Sequence, residues 1–157
     1  MRTANGGSLM RALLALALFL AVPMTAAADC IPITLPSAND SERTAASLLC
    51  RYFRDHSGTK ARVASDPTEG LALHVYVDDP AIITVFGKPE VAKKSVAGFI
   101  DTLPELWTRE GRTMPWPVYF AVWSTDPTDI KPRVIWRRTK AGGELTMVKG
   151  DGLTLTR

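Results

Sequence analysis

Residues 71–86 read LALHVYVDDPAIITVF, and this stretch decides the fold class. Over 71–77, Leu71, Leu73, Val75 and Val77 alternate with Ala72, His74 and Tyr76, the period of two that sends successive side chains to opposite faces of a strand. Asp78-Asp79-Pro80 has the chemistry of a turn. The β-branched run 81–86 then predicts a returning antiparallel strand that ends at Gly87. A hairpin at the centre of the chain makes the expected sheet antiparallel.

Upstream, Pro32 and Pro36 predict an extended arm over 31–40 with a short edge strand at 31–35. Asn39, Asp40 and Ser41 offer helix caps, and Ala45, Leu48, Leu49, Tyr52 and Phe53 repeat at three and four, which predicts a helix over 41–55. The polar stretch 56–70, punctuated by Gly58, Pro67 and Gly70, reads as a loop.

Downstream, Pro89 and Glu90 open a second helix whose apolar face is Ala92, Val96, Phe99, Ile100 and Leu103. Pro104 ends or kinks it, and Leu106 and Trp107 fit one more turn before Gly111. Residues 118–123 are apolar on both faces, as in a central strand covered on both sides. After an Asp126-Pro127 turn, strands are expected at 133–138, at 144–149 beyond Gly142-Gly143, and at 153–156 beyond Asp151-Gly152. The expected fold is therefore α+β: an antiparallel sheet of about five strands with two helices packed on one face, in the order α-β-β-α-β-β-β. A weak internal echo pairs Ala45 with Val91, Leu71 with Pro117, and Asp79-Pro80 with Asp126-Pro127, at offsets of 46 to 47 residues. It suggests a duplicated helix-strand-strand unit, though coincidence accounts for it equally well.

Residues 1–28 have the layout of a cleavable export signal. Arg2 and Arg11 supply the positive charge, and 12–22 form an apolar run of eleven residues, against the roughly 20 that a bilayer-spanning helix needs. Ala26-Ala27-Ala28 places small residues before a cut at Asp29. Asp29 also breaks the lipobox that lipid attachment at Cys30 would require. A single small α+β domain over 29–157 is expected, without a membrane anchor and acting in the periplasm or outside the cell.

Removal of 1–28 alters the charge balance. The whole chain has a net charge of +3, but 29–157 holds 17 basic and 16 acidic residues, leaving +1. Most of the basic character belongs to the leader, so a nucleic-acid partner is not expected. Cys30 and Cys50 both follow the cut, and an even cysteine count in an oxidising compartment predicts one disulfide. No histidine neighbours either cysteine, so neither a zinc site nor a thiol nucleophile is expected.

No Gly-x-Ser-x-Gly, His-Glu-x-x-His or Gly-rich phosphate loop occurs. His74 and Asp78 share a strand face but stand about 13 Å apart along an ideal strand, which leaves His74 as a sheet residue beside Tyr76. His56 sits where it interacts favourably with a helix C-terminus. Asp78-Asp79 lacks the further oxygen ligands and glycine of a calcium loop. No catalytic residue, metal or cofactor is expected.

The candidate binding cluster is Trp116, Tyr119, Trp123, Arg133, Trp136, Arg137, Arg138 and Lys140, where aromatic and basic residues interleave. Such side chains are enriched at binding hot spots, and guanidinium groups stack on aromatic faces. The bland alternative puts the tryptophans in the core and the arginines in water. The expected function is that of an exported binding or accessory protein, inhibitor-, immunity- or adaptor-like, that contacts another envelope or secreted protein. The alternatives are a small periplasmic hydrolase using His74 and a structural subunit of an envelope assembly.

Overall fold

A computed structural model describes residues 30–56 and 58–148. The leader and the strand expected at 153–156 lie outside them.

Among the described residues the sheet has six strands, β1 (Ile31–Ile33), β2 (Lys60–Asp66), β3 (Gly70–Val77), β4 (Val118–Ser124), β5 (Val134–Arg138) and β6 (Thr146–Met147). They lie side by side in chain order, and the sheet is mixed: β1 with β2 and β3 with β4 are parallel, while the other three pairs are antiparallel. The expectation of an antiparallel sheet of about five strands is corrected accordingly. The order α-β-β-α-β-β-β also gives way to β-α-β-β-α-α-α-β-β-β.

Two misread stretches account for the difference. Lys60–Asp66 is a seven-residue strand, not a loop. Its inward residues Ala61 and Val63 are small, and of its outward ones Lys60, Arg62 and Asp66 are charged while Ala64 is not, so alternation is present but faint. Pro80–Phe86 is a helix, α2, not a returning strand. Asp79 caps it, its side chain accepting from the Ala81 N–H at 2.8 Å, and Pro80 occupies the first turn. Cap and proline together outweigh the β-branched composition of Ile82, Ile83, Thr84 and Val85.

The parallel pairs follow directly. Parallel neighbours need a long crossover, usually helical. Helix α1 (Asp40–Phe53) joins β1 to β2. Between β3 and β4 run α2, then α3 over 89–102, then α4 (Pro104–Arg109). Within α3 a π turn at Ala92–Val96 separates Pro89–Val91 from Ala97–Thr102. All these helical segments contribute to the core on one face of the sheet, so α2 adds a third body to the two helices expected there. No described helix is long and apolar enough to cross a membrane.

Helix α1 begins with a reciprocal cap. The Asn39 side chain accepts from the Glu42 N–H at 2.8 Å, and Glu42 accepts from the Asn39 N–H at 3.1 Å. Glu42 is buried, and its other oxygen takes the backbone N–H of Ser65 at 3.0 Å together with the Ser65 hydroxyl. One carboxylate thus caps the helix and fastens it to β2. At the other end Cys50 is joined to Cys30 by a disulfide, with Cα atoms 5.0 Å apart. The bridge ties β1 to α1 as expected.

The core lies between sheet and helices. From the strands come Leu71, Leu73, Val75, Val77, Val118, Phe120 and Val122; from the helices come Leu49, Phe53, Val96, Ile100, Leu103 and Trp107. At the base of the sheet the β2–β3 turn meets the chain entering β4. Gly70 has φ +83°, and a Cβ there would stand 2.0 Å from the Pro117 carbonyl oxygen. Glycine is required by conformation and by space alike. The Leu71 N–H donates to that carbonyl at 2.9 Å, starting the β3–β4 ladder.

The echo at 46 to 47 residues does not match the topology, because β2 intervenes between α1 and β3 while nothing intervenes between α4 and β4. The structure contains a different correspondence. Asp66-Pro67-Thr68 after β2 and Asp126-Pro127-Thr128 after β4 form the same turn, 60 residues apart. In each the aspartate Oδ1 accepts from the threonine N–H (2.7 and 2.8 Å) and hydroxyl (2.6 and 2.7 Å). Each closes a β-α-β crossover and starts a hairpin.

Candidate functional site

Alternation along β3 and β4 sends Ala72, His74, Tyr76, Tyr119, Ala121 and Trp123 to the face that none of the described helices covers. Tyr76 and Trp123 are register partners, and their rings stack with centroids 5.8 Å apart. His74 stacks on Tyr76 at 6.4 Å and lies 5.8 Å from Trp123. Trp123 donates its indole N–H to His74 Nδ1 at 3.0 Å. With Nδ1 an acceptor, a neutral ring carries its proton on Nε2.

His74 is held neutral. Its pKa is pushed down to about 3, mainly because burial penalises the imidazolium and secondarily because the positive charge of Arg62 opposes a second one. Arg62 is its direct partner across the β2–β3 ladder. Asp78, the carboxylate expected at a distance, stands instead against Gly58. A base whose conjugate acid has a pKa near 3 is weak, and it cannot donate a proton near neutral pH.

Two clefts flank this stack. Ile33, Lys60, Arg62, Tyr76 and Thr125 line one of about 260 Å³. Leu35, Arg62, Ser65, Asp66, Glu69 and His74 are among those lining the other, about 140 Å³. Arg62 stands between them. The first cleft has two bases and no acid among the described residues that line it, whereas the second has Asp66 and Glu69. The hydroxyl and N–H of Thr68 hold the Asp66 carboxyl below the usual carboxylate range. On the next strand pair Arg137 lies over the Tyr119 ring, its guanidinium carbon 5.8 Å from the centroid.

The eight residues singled out from the sequence divide between the two faces. Tyr119, Trp123 and Arg137 share the helix-free face, the first two buried and the third exposed. Trp136 and Arg138 point the other way. Trp136 is buried in the core and donates its indole N–H to the Phe86 carbonyl at 2.8 Å. Arg138 is buried too and pairs with Asp101 at 2.5 Å, fastening β5 to α3. Trp116 packs half-buried against the core beside a cis Trp116–Pro117 peptide. Arg133 is bound to Asp129 at 2.6 Å, and Lys140 is exposed in the turn before Gly142.

Lys60 and Arg62 were missed because their strand was read as a loop. The weak alternation of Ala61 and Val63 was the signal available. Among the described residues no group of three His, Cys, Asp or Glu side chains could hold a metal ion. No family model, curated protein or solved structure matches the chain.

Proposed function

We propose that this is an exported, non-catalytic binding protein whose helix-free sheet face engages an acidic segment of a partner protein in the cell envelope. The observation that carries the reading is the cleft lined by Ile33, Lys60, Arg62, Tyr76 and Thr125, in which two basic side chains stand beside apolar and aromatic ones. Arg137, exposed over Tyr119, extends the positive charge across the same face. Rigid aromatic anchors with arginines at the edge are the composition of protein-binding hot spots. Opposite charge on the partner would steer encounter and fix register. The neutral, indole-bound His74, in the sheet beside this cleft, supports a structural role for itself rather than proton transfer. Export accords with the disulfide between Cys30 and Cys50.

The test is a photoreactive residue in place of Thr125, crosslinked in cells and followed by mass spectrometry. An adduct with one acidic envelope or secreted protein is expected, and Lys60→Glu with Arg137→Glu should abolish it. An adduct that survives this charge reversal, or none from a folded and exported domain, rejects the proposal.

A further inference from the structure

We infer that the outer surface of the helical layer holds a second docking site, a groove that takes an apolar, acid-flanked helix of a partner protein. The site lies on the opposite side of the molecule from the sheet face proposed above and uses none of its residues. Between α1 and α3 runs a groove of about 370 Å³ lined by Leu48, Arg51, Tyr52, Arg54, Phe99 and Thr102. Leu48 and Tyr52 stand one turn apart on α1, and Tyr52 is 52% exposed, far more than a packed tyrosine. Phe99, half-buried on α3, lines the same groove, and an apolar groove of this kind is what the apolar face of an amphipathic helix lies in.

Two features of α3 point to the same place. The π turn at Ala92–Val96 ends three residues before Phe99, and such turns inside helices are frequent at functional sites. Gly98, beside Phe99, is a helix-interior glycine at which an added Cβ would meet nothing within 4 Å. No packing within the described chain requires it, and it costs about 1 kcal/mol of helix propensity relative to alanine. It leaves the surface of α3 bare next to Phe99.

Charge selects the occupant. Arg51 and Arg54 are exposed and line the groove, no acid lines it among the described residues, and Arg54 pairs with Asp55 at 3.9 Å with both side chains largely in solvent. A second copy placed by a two-fold axis would set these arginines against themselves. A helix with carboxylates beside its apolar stripe would instead be paired along its length.

The probe is a fluorescent amphipathic peptide of about 18 residues, with leucines at helical spacing and glutamates flanking them, compared with the same peptide flanked by lysines. On the full chain, anisotropy should show the glutamate peptide binding at least about tenfold tighter. Arg51→Glu with Arg54→Glu should reverse the preference. Tyr52→Ala, at a half-exposed ring that lines the groove, should weaken binding by removing an apolar anchor; unchanged thermal melting verifies the fold of each variant. Equal binding of the two peptides, no binding, or a dimer that Tyr52→Ser dissolves would overturn the proposal. The sheet-face test uses a different pair of residues, so either proposal can fail alone.

Discussion

Trp123 and His74 are joined through a 3.0 Å hydrogen bond from the indole N–H to Nδ1, on adjacent parallel strands and with both rings buried. The bond requires the imidazole to remain unprotonated at Nδ1. It therefore links the stability of the sheet to pH.

The folded pKa of His74, about 3, lies below the ordinary value of 6.5, so the unfolded chain binds the proton more readily. The stabilisation is fully present above about pH 6.5 and is lost progressively as pH falls toward 3. Between pH 6.5 and 4.5 the loss should be roughly 2–3 kcal/mol from this residue alone. Urea denaturation at the two pH values, for the wild type and for His74→Gln, provides the measurement. The glutamine can still accept from Trp123 but does not titrate, and the difference between the two proteins should shrink by that amount at the lower pH. An equal acid loss in both proteins would contradict the assignment.

Gly70 and Gly142 both have positive φ, +83° and +65°, but in different surroundings. Gly70→Ala must drive a methyl group into the Pro117 carbonyl and is expected to cost at least about 3 kcal/mol. At Gly142 nothing lies within 4 Å of an added Cβ, so Gly142→Ala carries the backbone penalty alone, about 1 kcal/mol. Melting temperatures of the two variants should rank in that order.

The aromatic and basic cluster on β5 separates into residues that serve the fold and residues that face out. Trp136→Ala removes a buried ring and its bond to Phe86 and should cost about 3–5 kcal/mol. Arg137→Ala, next in sequence but on the opposite face, should leave stability within about 0.5 kcal/mol. Comparable losses at both sites in denaturant titrations would mean that the strand is set in another register.

Reducing the Cys30–Cys50 bridge releases β1 from α1 across a separation of 20 residues. The expected loss is about 3 kcal/mol by the chain-entropy estimate. A Cys30→Ser, Cys50→Ser double variant should show the same shift in denaturation midpoint as the reduced protein, and intact mass should show the wild type two hydrogens lighter than its reduced form.

What the sequence disclosed and what it concealed have the same physical basis. Helix α1 and β3 carry strong periodicity in large side chains, so their existence and faces were legible; β4, apolar on both sides, was legible as a strand but not by face. The stretch 81–86 was not, since Ile82, Ile83 and Val85 favour a strand intrinsically while the Asp79 cap and Pro80 impose a helix. Reading 60–66 as a loop then hid one hairpin, and with it the parallel pairing on both sides. The candidate site was half legible. A strand was expected at 133–138, but which of its side chains meet the core was settled only once the helices had chosen a face, which put Arg137 with Tyr119 and Trp123 and put Trp136 and Arg138 on the other side. The partner of His74 was out of reach altogether, because Trp123 comes beside it only through the 49-residue separation that the crossover closes.

The two Asp-Pro-Thr turns imply two equivalent units, yet β3 belongs to both: it is the last strand of β1-α1-β2-β3 and the first of the β3-to-β5 unit. A protein of separable repeats could be cut into working modules or lengthened by copying one. Here neither half is complete without a strand it shares with the other, and the turn of the first half, at Gly70, is seated against the entry to the second. Truncation at any internal boundary would therefore leave a fragment with an open sheet edge in place of a smaller domain, and engineering of this scaffold is confined to its two ends and its loops.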